Sequence, residues 1–187
     1  MKDLSKFLVG TTVPFTPPAM CLNEFGRSEE NFKLMKDAGL NIVRNFTPFP
    51  FTDESMTEET EAYKQLKKDI KLYAEHGIAT MGMFGNPGQN AADSKGTVSY
   101  IRHYPDWMGG YNEDKYYDIL GKVAEYIARD LKDDVTWWQI ANEPDIDMFI
   151  GDLTFKQNVR WLDVAARGIK KGNPNALCGI NLAGAAV

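Results

Sequence analysis

The sequence predicts an α/β protein whose parallel strands form a barrel of the (β/α)8 type, apparently truncated after the fifth strand. Short apolar runs alternate with amphipathic stretches of helical period along the whole chain. Crossovers of that length return the chain to the same edge of a sheet, which makes the strands parallel. The alternative is an open doubly wound sheet, which often carries a glycine-rich phosphate loop after its first strand. Thr11-Thr12-Val13-Pro14 stands there instead, so the sequence favours the barrel.

The first two strands and the helix between them are bounded by residues that start or stop regular structure. Residues 7–13 are predicted as the first strand, ended by Pro14. Ser28 is a good N-cap for a first helix that ends at Gly39, since glycine is common just after a helix. Residues 41–45 then form the second strand.

The second helix and third strand follow the same scheme. Ser55 with Glu58 predicts a capping box, and the helix that follows has apolar residues at helical spacing. These are Ala62, Leu66, Ile70 and Tyr73. Residues 78–84 are the third strand, and a long loop rich in glycine, asparagine and aromatic residues comes after it.

The third and fourth helices flank the fourth strand, residues 135–141. The third helix has an apolar stripe of Tyr116, Leu120, Val123, Ile127 and Leu131. Thr154 with Gln157 predicts a capping box for the fourth helix, whose apolar positions are Phe155, Val159, Leu162 and Ile169. Residues 176–182 form the fifth strand, and residues 1–187 are interpreted as one partial domain. Because both edge strands would lack partners, we expect self-association or pairing with a missing C-terminal half.

Composition excludes several classes of function. The chain is 43% hydrophobic and 25% charged, as in ordinary globular domains, and its net charge of −5 argues against nucleic acid or an anionic membrane as partner. No apolar segment is long enough for a signal peptide or a membrane span, so we predict a cytoplasmic protein. Cys21 and Cys178 match no zinc spacing and are interpreted as reduced thiols. No metal or cofactor is predicted.

The segment Asn142-Glu143-Pro144 carries the chemistry. It follows the fourth predicted strand directly, at the carboxyl end where barrel active sites are built. A glycosidic oxygen is a poor leaving group until it is protonated, and a carboxylic acid in this position can supply that proton. The alternative is that Glu143 is a solvated loop carboxylate.

Here the chain resembles clan A of the retaining glycoside hydrolases, barrels that end strand four with an Asn-Glu pair. The resemblance implies that Glu143 is the general acid/base and that Asn142 hydrogen-bonds the sugar 2-hydroxyl. It also implies that Arg44, at the end of strand two, lies near the nucleophile and keeps that carboxylate ionised. Clan members carry the nucleophile on strand seven, which this chain does not reach. The resemblance therefore implies hydrolysis of β-glycosidic bonds in a parent enzyme and no activity in this chain alone.

Other loop residues are weaker candidates for substrate binding. Asn86 stands near the end of strand three, where many clan members carry a histidine, and the nearest histidine is His103. Aromatic residues after strands two and three could stack on sugar rings, although plain packing within a long loop explains any one of them better. They are Phe46, Phe49, Phe51, Tyr100, Tyr104, Trp107 and Tyr111. We take Asn86 and Trp107 as candidate substrate-binding residues, with a β-linked oligosaccharide, polysaccharide or glycoside as ligand.

Three other interpretations are consistent with the sequence. The chain could be a non-catalytic carbohydrate-binding protein on the same scaffold. It could be a complete inverting enzyme that uses Asp145 or Asp147, although inversion needs carboxylates roughly 6.5–9.5 Å apart and these residues are close to Glu143 in sequence. It could also be a structural half-barrel without a ligand.

Overall fold

A computed structural model describes residues 8–12, 15–16 and 21–184 of the chain. In chain order its strands are β1 (Gly10–Thr12), β2 (Phe15–Thr16), β3 (Cys21–Leu22), β4 (Ile42–Thr47), β5 (Ala79–Phe84), β6 (Gly88–Ala92), β7 (Val98–Arg102), β8 (Trp137–Ile140) and β9 (Leu177–Gly179). Its α-helices are α1 (Glu29–Asp37), α2 (Glu61–Glu75), α3 (Asp114–Asp130), α4 (Asp147–Ile150) and α5 (Phe155–Gly172).

The main sheet has the strand order β1-β4-β5-β8-β9, and every neighbouring pair is parallel. These are the five strands predicted from the sequence, in the order that a (β/α)8 barrel requires. β1 is shorter than the predicted strand 7–13, of which residues 7 and 13, like Pro14, lie outside the described residues. β9 is also shorter than predicted. The α/β class and its parallel sheet are confirmed.

Capping chemistry explains where the helices begin, and in one case corrects the prediction. The Ser28 side chain accepts a hydrogen bond from the Asn31 amide, and Thr154 with Gln157 forms the predicted capping box. The box predicted at Ser55 and Glu58 is wrong. Thr60 is the N-cap of α2, and Ser55 instead donates its amide hydrogen to Asp53 Oδ1 within a loop turn.

One face of the main sheet is buried beneath the helices. Trp138 and Ile140 of β8 and Phe84 of β5 point to this face and are each 2% exposed. They pack against α3 and α5, where the Trp161 ring lies 5.7 Å from Phe84. Val43 of β4 joins a smaller cluster with α1 and α2. This face is the hydrophobic core.

Helices α3 and α5 pack closely because small residues line their contact. A Cβ on Gly168 of α5 would lie 2.6 Å from the Gly121 carbonyl oxygen of α3. The apolar face predicted for α5 is partly wrong, since Phe155 and Val159 are exposed at 80% and 47%. Ile169 is buried as predicted, and Trp161 and Ala165 are buried with it. The helix therefore has a buried apolar stripe and an outer stripe, formed by Phe155 and Val159, that the described residues leave exposed.

The long loop after β5 contains the antiparallel hairpin β6–β7, which the sequence did not predict. The Tyr100 hydroxyl lies 2.6 Å from the Tyr111 hydroxyl and joins the hairpin to the rest of the loop. Asn90 donates to the Asp147 carbonyl oxygen and so links β6 to α4. The hairpin therefore stands beside the segment that follows β8.

The second face of the main sheet borders two adjoining cavities. One, of about 340 Å³, extends toward β9, and the other, of about 420 Å³, extends toward β1. Met81 of β5 and Trp137 of β8 line both cavities. Leu177 of β9 is 54% exposed beside them. In the part of the chain that the structure describes, no helix is long and apolar enough to cross a membrane.

Candidate active site

Four parallel strands deliver polar side chains to one edge of the sheet. Arg44 lies in β4, Asn86 follows β5, Asn142 and Glu143 follow β8, and Asn181 follows β9. Carboxyl ends of parallel strands meet at the same edge, so residues far apart in sequence become neighbours there. Hydrogen bonds join Asn142 to Arg44, Asn86 and Asn181 across 98, 56 and 39 positions of sequence.

The backbone bends sharply around Asn142. Ala141 has φ +60° and Glu143 has φ +47°, so two residues with side chains occupy the left-handed region. Each such residue costs on the order of 1–2 kcal/mol relative to an ordinary conformation. Strained backbone of this kind persists only where the surroundings stabilise it, and it clusters at functional sites.

Amide side chains stabilise this bend by binding its backbone groups. Asn86 accepts from the Asn142 amide at 2.7 Å and donates to the Asn142 carbonyl oxygen at 2.7 Å. Gln139 donates to the Ala141 carbonyl oxygen at 2.8 Å, and Asn158 of α5 donates to that of Pro144 at 2.7 Å. Buried backbone groups that find such partners avoid a penalty of about 1–3 kcal/mol each. The bend is therefore built by residues of β8, the β5 loop and α5 together.

The side chain of Asn142 is held by its oxygen. Oδ1 accepts from Arg44 Nη2 at 3.1 Å and from Asn181 Nδ2 at 3.2 Å. Both lone pairs of this oxygen are therefore engaged. Asn142 is half-buried, which suits a residue at the wall of a cleft.

Arg44 provides the positive charge of the site. Burial lowers the pKa of Arg44 from its ordinary value, and the negative charge of Glu143 acts in the opposite direction. An arginine guanidinium stays charged at neutral pH. The guanidinium carbon also lies 5.5 Å from the centroid of the Phe46 ring. The charges of Arg44 and Glu143 therefore attract each other.

The remaining residues named from the sequence are placed as follows. Asn86 is 4% exposed, with its amide engaged by the Asn142 backbone and the Phe149 carbonyl oxygen, and its contact with a substrate stays a prediction. Trp107 is half-buried with its ring 5.6 Å from Phe49, and its substrate contact also stays a prediction. The ring of His103 reaches back to the site, with Nδ1 3.2 Å from the Asn86 carbonyl oxygen.

The two aspartates that follow Glu143 lie on the surface. Asp145 is exposed and accepts a hydrogen bond from the Ala183 amide at 2.9 Å. Asp147 is exposed at the first position of α4. Asp145 therefore ties the loop after β8 to the segment after β9.

Sequence reasoning missed Gln139 and Asn181. Gln139 is 7% exposed and donates to Asn181 Oδ1 at 2.7 Å, while the Glu143 amide donates to the same oxygen at 3.2 Å. A signal was available in each case, because Gln139 is a polar residue within the apolar run Trp137–Ile140 and Asn181 follows the fifth run. Their contacts with each other depend on the pairing of β8 with β9.

No protein-family model and no curated protein sequence matches the chain. It is similar to the solved structure of Cel5A from Thermotoga maritima in complex with cellobiose, at 17% identity and a TM-score of 0.63, covering 92% of this chain and 51% of that one. It is also similar to the exo-β-1,4-mannosidase Op5Man5 from the Opitutaceae bacterium strain TAV5, at 18% identity and a TM-score of 0.61, covering 91% and 31%.

A third solved structure is the family 1 β-glucosidase of Thermotoga maritima, at 15% identity and a TM-score of 0.53, covering 81% of this chain and 36% of that one. The chain spans about half the length of Cel5A and about a third of the other two. At these identities the likeness concerns the fold. The described residues have the fold of about half of a (β/α)8 barrel of the kind found in glycosidases.

Proposed function

We propose that this chain forms the acid/base-bearing part of a retaining glycoside hydrolase that acts on β-glycosidic bonds. The observation that carries the proposal is the meeting of Arg44, which lies within β4, with Asn142 and Glu143 at the edge of the sheet where β8 ends. The barrel fold shared with solved glycosidases supports it, because such barrels build their active sites at this edge.

The proposed chemistry divides between two carboxylates. Glu143 as the acid protonates the glycosidic oxygen while the second carboxylate attacks the anomeric carbon, so the leaving alcohol departs and a glycosyl-enzyme ester forms. Glu143, now a carboxylate, takes a proton from water, and that water attacks the anomeric carbon and releases the second carboxylate. No metal or cofactor takes part in these steps.

The second carboxylate belongs about 5–5.5 Å from Glu143 in a retaining enzyme. Asp145 is exposed and bound to the Ala183 amide, which does not suit a nucleophile facing Glu143. We therefore place the nucleophile on a strand other than these five, in a C-terminal half that pairs with this chain. Arg44 would then stand beside it and favour its ionised form.

The ligand in this proposal is a β-linked oligosaccharide, polysaccharide or glycoside. The free NH2 group of Asn142 donates to a sugar hydroxyl, and Asn86 and Trp107 keep their predicted places at the substrate. The cytoplasmic location stays a prediction.

An experiment with an external nucleophile tests the proposal on the chain itself. Azide can replace a missing carboxylate by attacking the anomeric carbon, so that a glycosyl azide forms and the aglycone leaves with the proton of Glu143. We expect that phenyl β-glycosides, whose aglycone is a poor leaving group unless it is protonated, are stable with the chain alone and release phenol at least about tenfold faster with azide. Glu143→Gln should remove the gain, because an amide has no proton to give at this step.

Each outcome decides between the candidate functions. Sugar binding by nuclear magnetic resonance (NMR) titration with no azide effect, and no difference in Glu143→Gln, would indicate a carbohydrate-binding protein. Hydrolysis without azide that Glu143→Gln abolishes would show that the nucleophile lies within the chain. Absence of both binding and turnover across β-glucosides, β-mannosides and β-galactosides would overturn the proposal.

A further inference from the structure

We infer that Asn181 is the positioning residue of this site, which fixes both the side-chain orientation of Asn142 and the backbone of Glu143. Asn181 is half-buried and follows β9, the strand at the edge of the sheet. Its three hydrogen bonds connect Gln139, Asn142 and Glu143. The inference rests on the proposed function in one respect, which is that the ligand of the Asn142 side-chain amide is a sugar.

The orientation of each amide in this chain of contacts follows from groups that can act in one way only. The Ala141 carbonyl oxygen only accepts, so the atom of Gln139 that faces it at 2.8 Å is the NH2 group. The Glu143 amide only donates, so the atom of Asn181 that faces it at 3.2 Å is the oxygen. The NH2 group of Asn181 is therefore the atom directed at Asn142, at 3.2 Å.

Arg44 fixes the orientation of Asn142, the last amide in this series of hydrogen bonds. A guanidinium has five N–H donors and no acceptor, so the Asn142 atom 3.1 Å from Arg44 Nη2 is its oxygen. Asn142 Oδ1 therefore receives hydrogen bonds from Arg44 and from Asn181, which leaves the NH2 group as the part of the amide that can donate to a ligand. A ligand that meets this group must offer an acceptor, as the hydroxyl oxygens of a sugar do.

The second contact of Asn181 concerns the strained backbone. Glu143 has φ +47°, and its amide hydrogen is bound by Asn181 Oδ1. That bond favours the left-handed conformation from which the Glu143 side chain extends. Replacing Asn181 would leave this donor to water or to no partner, at a cost comparable to a lost hydrogen bond.

Asn86 provides an instructive contrast within the same site. Both of its polar atoms bind backbone groups, including the amide and the carbonyl oxygen of Asn142. Asn181 instead contacts the side chain of Asn142 and the backbone of Glu143. The two residues therefore have different roles. Asn86 holds the backbone of Asn142, and Asn181 orients the Asn142 side chain and binds the backbone of Glu143.

Two substitutions separate the two contacts of Asn181. Asn181→Asp keeps an oxygen for the Glu143 amide and for Gln139 but has no hydrogen to donate to Asn142. Asn181→Ala removes both contacts. Asn173→Ala is the matched control, because Asn173 is a buried asparagine at the far end of α5 whose Oδ1 accepts from the Asn175 amide.

The readout is the NMR signal of the Asn142 NH2 group, identified by its loss in Asn142→Asp, together with the Glu143 backbone amide. We expect the Asn142 signal to move in both Asn181 variants and the Glu143 amide to move in Asn181→Ala alone. Neither should move in the control. Titration with cellobiose, β-1,4-mannobiose and lactose should show a Kd about tenfold weaker in both variants for whichever disaccharide the wild type binds, as expected for the loss of one oriented donor.

An Asn142 signal that stays in place in a folded Asn181→Ala chain would overturn the inference. If the signals move as expected in the variants but the wild-type chain binds none of the three sugars, the positioning role stands and the result counts against the proposed function. If Asn181→Ala does not fold, Asn181→Asp, which has nearly the same shape, still decides whether the donor orients Asn142.

Discussion

The two faces of the main sheet are held by different interactions, apolar packing on one and hydrogen bonds on the other. On the helix-facing side, Trp138, Ile140 and Phe84 are 2% exposed and contact apolar residues of α3 and α5. At the mouth of the other side, Arg44, Asn142 and Glu143 are half-buried, and hydrogen bonds from neighbouring strands hold two left-handed residues. Burial of apolar surface stabilises the first region, whereas the strained backbone of the second region lowers the stability of the fold.

This difference teaches where substitutions should change stability and where they should change chemistry. Residues of the helix-facing side are constrained by volume, so their replacement should alter the free energy of unfolding. Residues of the mouth are constrained by hydrogen-bond direction and backbone conformation. The free energy of unfolding, measured in a denaturant titration, tests that division for each of the variants that follow from it.

The largest effect is expected for Trp138→Ala. Trp138 is 2% exposed in the core, so removal of its ring should lower the free energy of unfolding by about 3–5 kcal/mol. Trp137→Ala is the matched control, because the next residue points to the opposite, open side and is half-buried. An equal loss in the two variants would break the comparison between the faces.

Gly82→Ala should be the next largest. Gly82 of β5 pairs in register with Trp138, and a Cβ at this position would lie 2.6 Å from the Trp138 ring. We expect a loss of about 1–3 kcal/mol from overpacking. Gly85→Ala is the control, since no atom lies within 4 Å of its added Cβ, and its stability should change by less than about 0.5 kcal/mol. A tolerated Gly82→Ala would mean that the ring of Trp138 can move aside.

A sign reversal is expected between glycine and alanine at position 143. Because Glu143 has φ +47°, Glu143→Gly should be more stable than Glu143→Ala by about 1 kcal/mol. At Lys122, an exposed residue within α3, the same pair of substitutions should favour alanine by about 1 kcal/mol. Equal or reversed stabilities at position 143 would show that the backbone there is not left-handed.

Local chemistry made part of the fold predictable from sequence. Caps at Ser28 and Thr154 were predicted because a side chain and an amide three residues later suffice to form them. The same signature at Ser55 misled, because an aspartate two residues earlier offers the Ser55 amide a competing turn, and Thr60 caps α2 instead. The residue pattern of a helix cap can therefore also occur in a loop, where no helix follows.

The site was predictable to the extent that parallel strands share an edge. Asn142 and Glu143 follow β8 as predicted, and Arg44 bonds Asn142, but Arg44 lies within β4, which continues to Thr47 instead of ending at residue 45. The contacts of Asn181 and Gln139 were not predictable, since they depend on which atoms of β8 and β9 face each other. Left-handed backbone at Ala141 and Glu143 was equally hidden, because neither residue type signals it.

The smallest effect is expected for Phe155→Ser, which examines the outer stripe of α5. Phe155 is 80% exposed at the first position of the helix, so its ring contributes little burial to the described fold. We expect a change below about 0.5 kcal/mol, and a similar one for Val159→Ser. A loss of several kcal/mol would mean that protein outside the described residues covers this stripe, as a further helix would in a closed barrel. Repeating the measurement after adding a candidate C-terminal half would sharpen the point, because a cost that appears only in the complex would locate the contact between the halves on α5.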